Sequence, residues 1–260
     1  ITSPNQQIIS ERIKTLYQLF DIDKKSILIL TVNSLVTKIL PKEILAQHIY
    51  KISKNHQYNI DDLSKFLIGN SYVRTEIVND PGEFAIRGSI FDIFPTGAKN
   101  PVRLDFFANQ IESIREFDPL TQISDNHITE IILLPAHEVI LNSEYCDNFR
   151  SNYRDLFNID YQNDLLYEAI SQKRSYIGME HWLPLFYNNK LVSILSYFEN
   201  AVVFHNDLFF DAIKARLDSI EKYYQIRLEN QQKKKGDNHA IYNPIKPNLL
   251  YIEQIEQDQN

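Results

Sequence analysis

Two arginines and a phenylalanine stand at spacings that place them on one face of a predicted sheet, in the segment Pro81 to Ser124. Arg103 and Phe107 have the same parity on one predicted strand, so their side chains emerge on the same face about 13 Å apart. Arg87 lies on the preceding predicted strand and is expected near Arg103. Arginine and aromatic side chains dominate the hot spots of protein interfaces. The three residues are therefore predicted to form a docking face for a partner protein.

A plainer interpretation of this face is a surface ion pair between an arginine and Asp105, beside a partly buried Phe107. If the docking prediction holds, replacing Arg103 or Phe107 by alanine weakens partner binding and leaves the melting temperature nearly unchanged. Arg115, on the next predicted strand, is expected outside the face and serves as a control.

The histidines and the single cysteine show no pattern of a metal or nucleophile site. No two of the seven histidines are spaced i, i+3 or i, i+4, and Cys146 is alone, which argues against structural zinc. Glu180 and His181 are a candidate acid–base pair. Adjacent residues on a helix or strand point in different directions, however, so local packing is favoured. No GxSxG sequence is present. The sequence predicts no catalytic residue and no metal site.

The sequence also lacks a phosphate-binding loop. None of its six glycines is followed by lysine, so the GxxxxGK[ST] pattern that cradles phosphates is absent. Asp207 follows an apolar segment, Ala201–His205, where a nucleotide hydrolase would place a magnesium-binding acid. The next residues, Leu208–Phe210, supply no second acid, and a helix cap at Asp207 is the favoured interpretation. We therefore predict no ATP hydrolysis and no cofactor for these 260 residues.

The elements that must position the docking face are short alternating segments. Glu83–Phe94, Val102–Phe107 and Ile111–Phe117 alternate apolar with polar residues and are separated by turn residues, which predicts a small antiparallel sheet with one buried face. A helix capped by Asn59 or Asp61 is expected before it, and Gln47–Ser53 is a candidate edge strand.

Three blocks of this segment resemble a known family. PGEFAIRGSIFDIFP (81–95), PVRLDFF (101–107) and IESIREFDPLTQ (111–122) resemble, in that order, the inserted domain shared by the bacterial transcription-repair coupling factors and the excision-repair protein UvrB. GMEHWLPLF (178–186) and SPNQQIISERI (3–13) resemble the flanking regions of the coupling factors. The coupling factors are therefore favoured, and UvrB itself or an unrelated nucleotide-binding α/β domain remain the alternatives.

The resemblance implies an N-terminal UvrB-homology module that docks the damage-recognition protein UvrA through positions matching Arg87, Arg103 and Phe107. A full-length coupling factor is implied to bind stalled RNA polymerase, to translocate on double-stranded DNA using ATP and magnesium, and to recruit UvrA. The present residues would supply recruitment and not catalysis. Ser89 stands where the family commonly has a second glycine, and Ala108-Asn109-Gln110 replaces its Gly-Asp-Glu, which changes the tip and the charge of one hairpin.

Outside the sheet, the pattern predicts helices alternating with buried strands. A helix is expected to start at Ser3 and Pro4, a buried strand at Ser26–Val32, a helix at Ser34–Leu40, a strand at Ala201–His205, a long helix from Asp207 to about Glu229, and a strand at Leu249–Ile252. This order predicts an α/β fold: a degenerate helicase-like (RecA-type) domain, residues 1–45 and 127–260, interrupted by an inserted α+β domain, residues 46–126.

Composition narrows the class of protein. Hydrophobic residues at 43% and charged residues at 23% are typical of a globular protein. The net charge of -7 argues against a dedicated nucleic-acid-binding module. A single cysteine suits a reducing cytosol, and no apolar run reaches the roughly 20 residues that span a bilayer. A cytoplasmic protein without membrane contact is expected.

Overall fold

The computed structural model describes residues 3–21, 26–157, 164–198, 201–233 and 242–253. The α-helices in these ranges are α1 (Gln6–Gln18), α2 (Val32–Val36), α3 (Lys42–Ala46), α4 (Ile60–Gly69), α5 (Ser143–Phe157), α6 (Leu165–Ser171), α7 (Leu183–Phe186), α8 (Phe209–Lys233) and α9 (Pro247–Leu250). Short 3-10 helices lie at Leu19–Asp21, Met179–Trp182 and Ile194–Tyr197. The strands are β1 (Tyr50–Ser53), β2 (Val73–Arg74), β3 (Glu83–Arg87), β4 (Ile90–Ile93), β5 (Val102–Phe107), β6 (Gln110–Phe117), β7 (Ser124–Ile128) and β8 (Glu130–Leu133).

The centre of the molecule is a six-stranded sheet in the order β2-β3-β4-β5-β6-β7. All neighbouring strands are antiparallel except β2 and β3. The predicted small antiparallel sheet is confirmed, with one correction. The segment Glu83–Phe94 is not one strand but a hairpin, because Gly88 adopts a φ of 61° between Arg87 and Ile90. Arg87 is thus one strand further from Arg103 than the sequence suggested.

One face of this sheet is buried against α4 and the strand pair β1–β8. Asn59 caps α4, as predicted, by accepting from the backbone N–H groups of Asp61 and Asp62. The shared core consists of large apolar side chains from every layer: Ile52, Leu63, Leu67, Tyr72, Phe84, Phe91, Ile93, Val102, Leu104, Phe106, Ile111, Ile114, Ile131 and Leu133. The other face carries a small buried cluster of its own, Val78, Ala85, Phe94 and Phe117, and the rest of that face is available for recognition.

Strands β1 and β8 form a separate two-stranded antiparallel sheet, with Ile52 opposite Ile131. The predicted edge strand at 47–53 is thus found at Tyr50–Ser53. Because β1 enters the sheet domain and β8 leaves it, their pairing joins the two ends of that domain. The predicted boundary of the inserted domain at residue 126 lies inside β7 and precedes β8. The boundary stays a prediction, and the pairing favours a unit that extends beyond Leu133.

Helix α1 packs against the turns of the sheet domain. Its N-cap is Asn5 rather than the predicted Ser3, because the Asn5 side chain accepts from the backbone N–H groups of Gln7 and Ile8. Ser10, fully buried on α1, accepts a hydrogen bond of 2.8 Å from the backbone N–H of Gly97. Gly97 has a φ of 80°, and a Cβ there would lie 2.8 Å from Lys14 Cβ. A glycine is therefore required at this contact.

Two further apolar clusters lie outside the sheet domain. One joins α5, α6 and α7 and includes Phe149, Trp182 and Phe186. The other joins α1 and α2 to the 3-10 helix Ile194–Tyr197 and to Ile213 and Ile220 of α8. The structure is thus mixed α and β.

The strands predicted at Ser26–Val32 and Ala201–His205 are wrong. Residues 26–31 and 201–206 belong to no helix or strand, and Ile27 and Phe204 are 89% and 92% exposed. Thr31 instead caps α2, and the predicted strand Leu249–Ile252 is the helix α9 followed by a single bridge at Tyr251. The helicase-like arrangement is not confirmed in the part of the chain that the structure describes.

Candidate partner-docking site

The outer face of the sheet is organised around one buried carboxylate, Asp92 on β4. Asp92 is fully buried and lies directly opposite Arg103 of β5. Arg103 donates from Nε to Asp92 Oδ1 at 2.7 Å and from Nη2 to Oδ2 at 2.9 Å. Arg87 of β3 donates from Nη2 to the same Oδ2. The structure thus brings the two predicted arginines together, although they lie on strands that are not neighbours.

The two arginines differ in what they offer to a partner. The Arg103 side chain is 15% exposed and its guanidinium lies over the Phe117 ring, 4.7 Å from the centroid. Its hydrogen bonds to Asp92 raise the pKa of Arg103 above its ordinary value. The Arg87 side chain is 48% exposed. Arg103 therefore compensates the buried charge of Asp92, whereas Arg87 both contacts Asp92 and reaches solvent.

Phe107 ends β5 and is 70% exposed. It precedes Ala108, whose φ of 53° forms the tight turn into β6 at Gln110. An irregularity in the pairing of β5 with β6 follows Asp105, yet Phe106 stays in the core and Phe107 stays outside. A large aromatic side chain left in water at a hairpin tip is the kind of residue that anchors an interface.

Arg115 lies on the same face, contrary to the prediction that it stands outside. Its Cα is paired with that of Arg103 in the β5–β6 register. Arg115 Nη2 donates to Asp105 Oδ2 at 2.7 Å, and Ser113 Oγ donates to the same oxygen. The predicted surface pair with Asp105 therefore exists, but its arginine is Arg115. Arg115 is therefore part of the candidate site and not a suitable control.

We call Arg87, Asp92, Arg103, Phe107 and Arg115 the arginine face. The loop 118–123 borders it, since Arg103 Nη1 donates to the backbone carbonyl of Gln122 at 3.5 Å. This loop carries Leu120 and Ile123, which are both exposed apolar residues. The face thus combines fixed cations with apolar side chains in water, a composition suited to protein recognition.

Sequence reasoning missed Asp92, the residue that joins the two arginines. A signal was available, because Phe91 and Ile93 alternate with Asp92 and place it on the outer face. What the sequence did not reveal is the hairpin at Gly88, which puts β4 between the strands of Arg87 and Arg103.

The other candidate residues gather into no site. Asp207 precedes α8 and follows no strand. Glu180 and His181 do not pair with each other: Glu180 Oε2 accepts from Ser3 Oγ at 3.1 Å and lies 4.0 Å from His137 Nε2. Within the described ranges, no cluster of three or more His, Cys, Asp or Glu side chains has the geometry to hold a metal ion. No helix in those ranges combines the length and the hydropathy that crossing a bilayer requires.

Comparison with known proteins identifies the domain that carries the arginine face. Residues 50–139, which contain β1 to β8, match the UvrB interaction domain. The whole chain is 36% identical, over 265 residues, to a transcription-repair-coupling factor of Rickettsia prowazekii, and it covers 23% of that protein. The corresponding protein of Escherichia coli is 34% identical over 223 residues, which are 85% of this chain and 19% of the relative. That of Haemophilus influenzae is 33% identical over 248 residues, with 95% and 20% covered.

The chain thus spans about a fifth to a quarter of the length of these relatives. The identity extends well beyond residues 50–139, so the helical clusters on either side of the sheet domain share the relationship. These 260 residues belong to the family of the transcription-repair-coupling factors and contain its UvrB interaction domain.

Proposed function

We propose that this chain docks UvrA through the arginine face and thereby recruits nucleotide-excision repair. The observation that carries the proposal is the exposure of Phe107 on the same face as two arginines that share one buried carboxylate. This face belongs to the UvrB interaction domain, whose family name points to the proteins of excision repair.

The geometry favours tight docking because the face is ordered before a partner arrives. Arg103 is held by two hydrogen bonds and by the Phe117 ring, so it loses little conformational freedom on binding. Arg87 retains exposed donors for a carboxylate of the partner. Phe107 supplies apolar area at the edge of these charges.

The activity of a full-length coupling factor is part of the same proposal. From the resemblance to the coupling factors, we propose that the full-length protein acts at stalled RNA polymerase on double-stranded DNA and that ATP and magnesium are used elsewhere in it. The present residues act as an adaptor, since their sequence contains no GxxxxGK[ST] loop.

Direct binding tests the adaptor role. The 260-residue chain is immobilised, UvrA is passed over it, and binding is measured in a buffer that contains no nucleotide. We expect saturable binding of UvrA and no release of phosphate from ATP by the chain alone. Failure of UvrA to bind, or ATP turnover that a point mutation in this chain abolishes, would contradict the proposal.

A further inference from the structure

A cavity of about 120 Å³ lies along helix α8, outside the sheet domain that carries the arginine face. Its walls are α8, the segment 242–245, α9 and the 3-10 helix Met179–Trp182. Arg216 and Arg227 of α8 line it, together with His181 and several tyrosines, among them Tyr223, Tyr242 and Tyr251. Its lining contains no aspartate or glutamate.

The two lining arginines differ from most described arginines in having no carboxylate partner, a property they share with Arg74. Six arginines pair with a carboxylate: Arg12, Arg87, Arg103, Arg115, Arg150 and Arg174. In the part of the chain that the structure describes, Arg216 and Arg227 have no such pair, and the buried Nε of Arg216 has no hydrogen-bond partner. A buried donor without an acceptor is costly, so an acceptor is expected at this position.

Helix geometry aligns both arginines with the cavity. Arg216 and Arg227 are eleven residues apart, which places them about 16 Å apart along the axis and within about 20° of each other around it. Arg227 is also fixed from the side, since its guanidinium lies 5.4 Å from the centre of the Tyr242 ring. The nearby carboxylate of Glu180 accepts a hydrogen bond from Ser3 and is not part of the cavity lining.

We propose that this cavity binds a phosphate group. Arginine forks match phosphate oxygens, and Tyr223, Tyr242 and Tyr251 line the same cavity. A cavity of about 120 Å³ has room for a small polyatomic anion such as phosphate. A single carboxylate would be satisfied by one guanidinium and would leave the second unused. The group arrives either as inorganic phosphate or as the terminal phosphate of a nucleic-acid strand.

Titration of the 260-residue chain tests the site, with inorganic phosphate as the probe at constant ionic strength and the arginine Nε–H signals followed by NMR. We expect saturation and a shift of the Arg216 signal. Arg216→Gln and Arg227→Gln each remove charge-assisted hydrogen bonds and should weaken binding about tenfold or more. Lys222→Gln, an exposed cation on the same helix outside the cavity, should change affinity less than about twofold.

The possible results distinguish a phosphate site from no site, and a nucleic-acid terminus from free phosphate. If Arg216→Gln fails to fold by circular dichroism, Arg227→Gln decides, because Arg227 is exposed. A 5′-phosphorylated oligonucleotide that binds more tightly than both free phosphate and its unphosphorylated counterpart identifies a strand terminus as the source. Equal binding of free phosphate and the phosphorylated strand identifies the free anion. Absence of saturation, or equal loss in Lys222→Gln and the arginine variants, would overturn the proposal.

Discussion

The sheet of the UvrB interaction domain and the two segments 26–31 and 201–206 share strand-forming residue types but differ in their surroundings. The sheet is rich in β-branched and aromatic residues, 26–31 (SILILT) contains two isoleucines and a threonine, and 201–206 (AVVFHN) contains two valines and Phe204. In the sheet, Phe91 of β4 is paired with Leu104 of β5 and both are fully buried in the core, whereas Ile27 and Phe204 are almost fully exposed. Strand propensity therefore describes how a residue fits a pleated, half-buried surface, and pairing partners determine whether that surface forms.

The strongest test of this comparison replaces one phenylalanine in each region. Phe91→Ala removes a core side chain that stacks on Phe84, with ring centroids 5.6 Å apart, and should lower the free energy of unfolding by about 3–5 kcal/mol. Phe204→Ala should change it by less than about 0.5 kcal/mol, since the side chain is in water. Urea denaturation measures both. A large loss for Phe204→Ala would show that the segment is packed in solution.

The arginine face provides a second contrast, between Arg103 and Arg87. Arg103→Ala removes two hydrogen bonds from the buried Asp92 and should cost about 3 kcal/mol. Arg87→Ala should cost about 1 kcal/mol or less, because Arg87 is half exposed and Arg103 still compensates the charge. Thermal unfolding and urea titration measure the difference.

The burial of Asp92 beneath Arg103 changes the prediction made from the sequence, which was that Arg103→Ala leaves the melting temperature nearly unchanged. Equal costs for the two variants would mean that Asp92 is compensated by neither arginine in particular. An unchanged melting temperature in Arg103→Ala would contradict the role of Asp92 as a buried charge that needs Arg103.

The third test concerns where the sheet domain ends. Residues 46–126 excised from the chain contain β1 without its partner β8, and they lack Ile131 and Leu133 of the core. Residues 46–141 contain both strands. We expect dispersed amide NMR signals and slow hydrogen exchange in the longer segment, and weaker protection in the shorter one. Equal dispersion in both would support the boundary at residue 126.

The sequence was most informative where local pattern and tertiary contact agree. Alternation predicted β5 and β6 correctly, and it placed Arg103 and Phe107 on one face. Arg115 was misplaced, because which residues share a face on different strands depends on register, and register depends on turns and irregularities such as the one after Asp105. Asp92 was missed because the sequence did not reveal the hairpin at Gly88, which places β4 between the strands of Arg87 and Arg103. The strand at 201–205 was wrong, because apolar residues alone do not specify a partner strand.

The proposed role of Phe107, as the exposed anchor of the arginine face, is tested most directly by the affinity of two matched variants for UvrA. Phe107→Ala and Phe204→Ala each remove an exposed phenylalanine, at 70% and 92% exposure, but only the first lies on the face. Neither should change the melting temperature appreciably. We predict that Phe107→Ala weakens UvrA binding about thirtyfold, as expected for a hot spot of about 2 kcal/mol, while Phe204→Ala binds as the unaltered chain does. Unchanged affinity in Phe107→Ala, or equal loss in both variants, would contradict the assignment of the docking face.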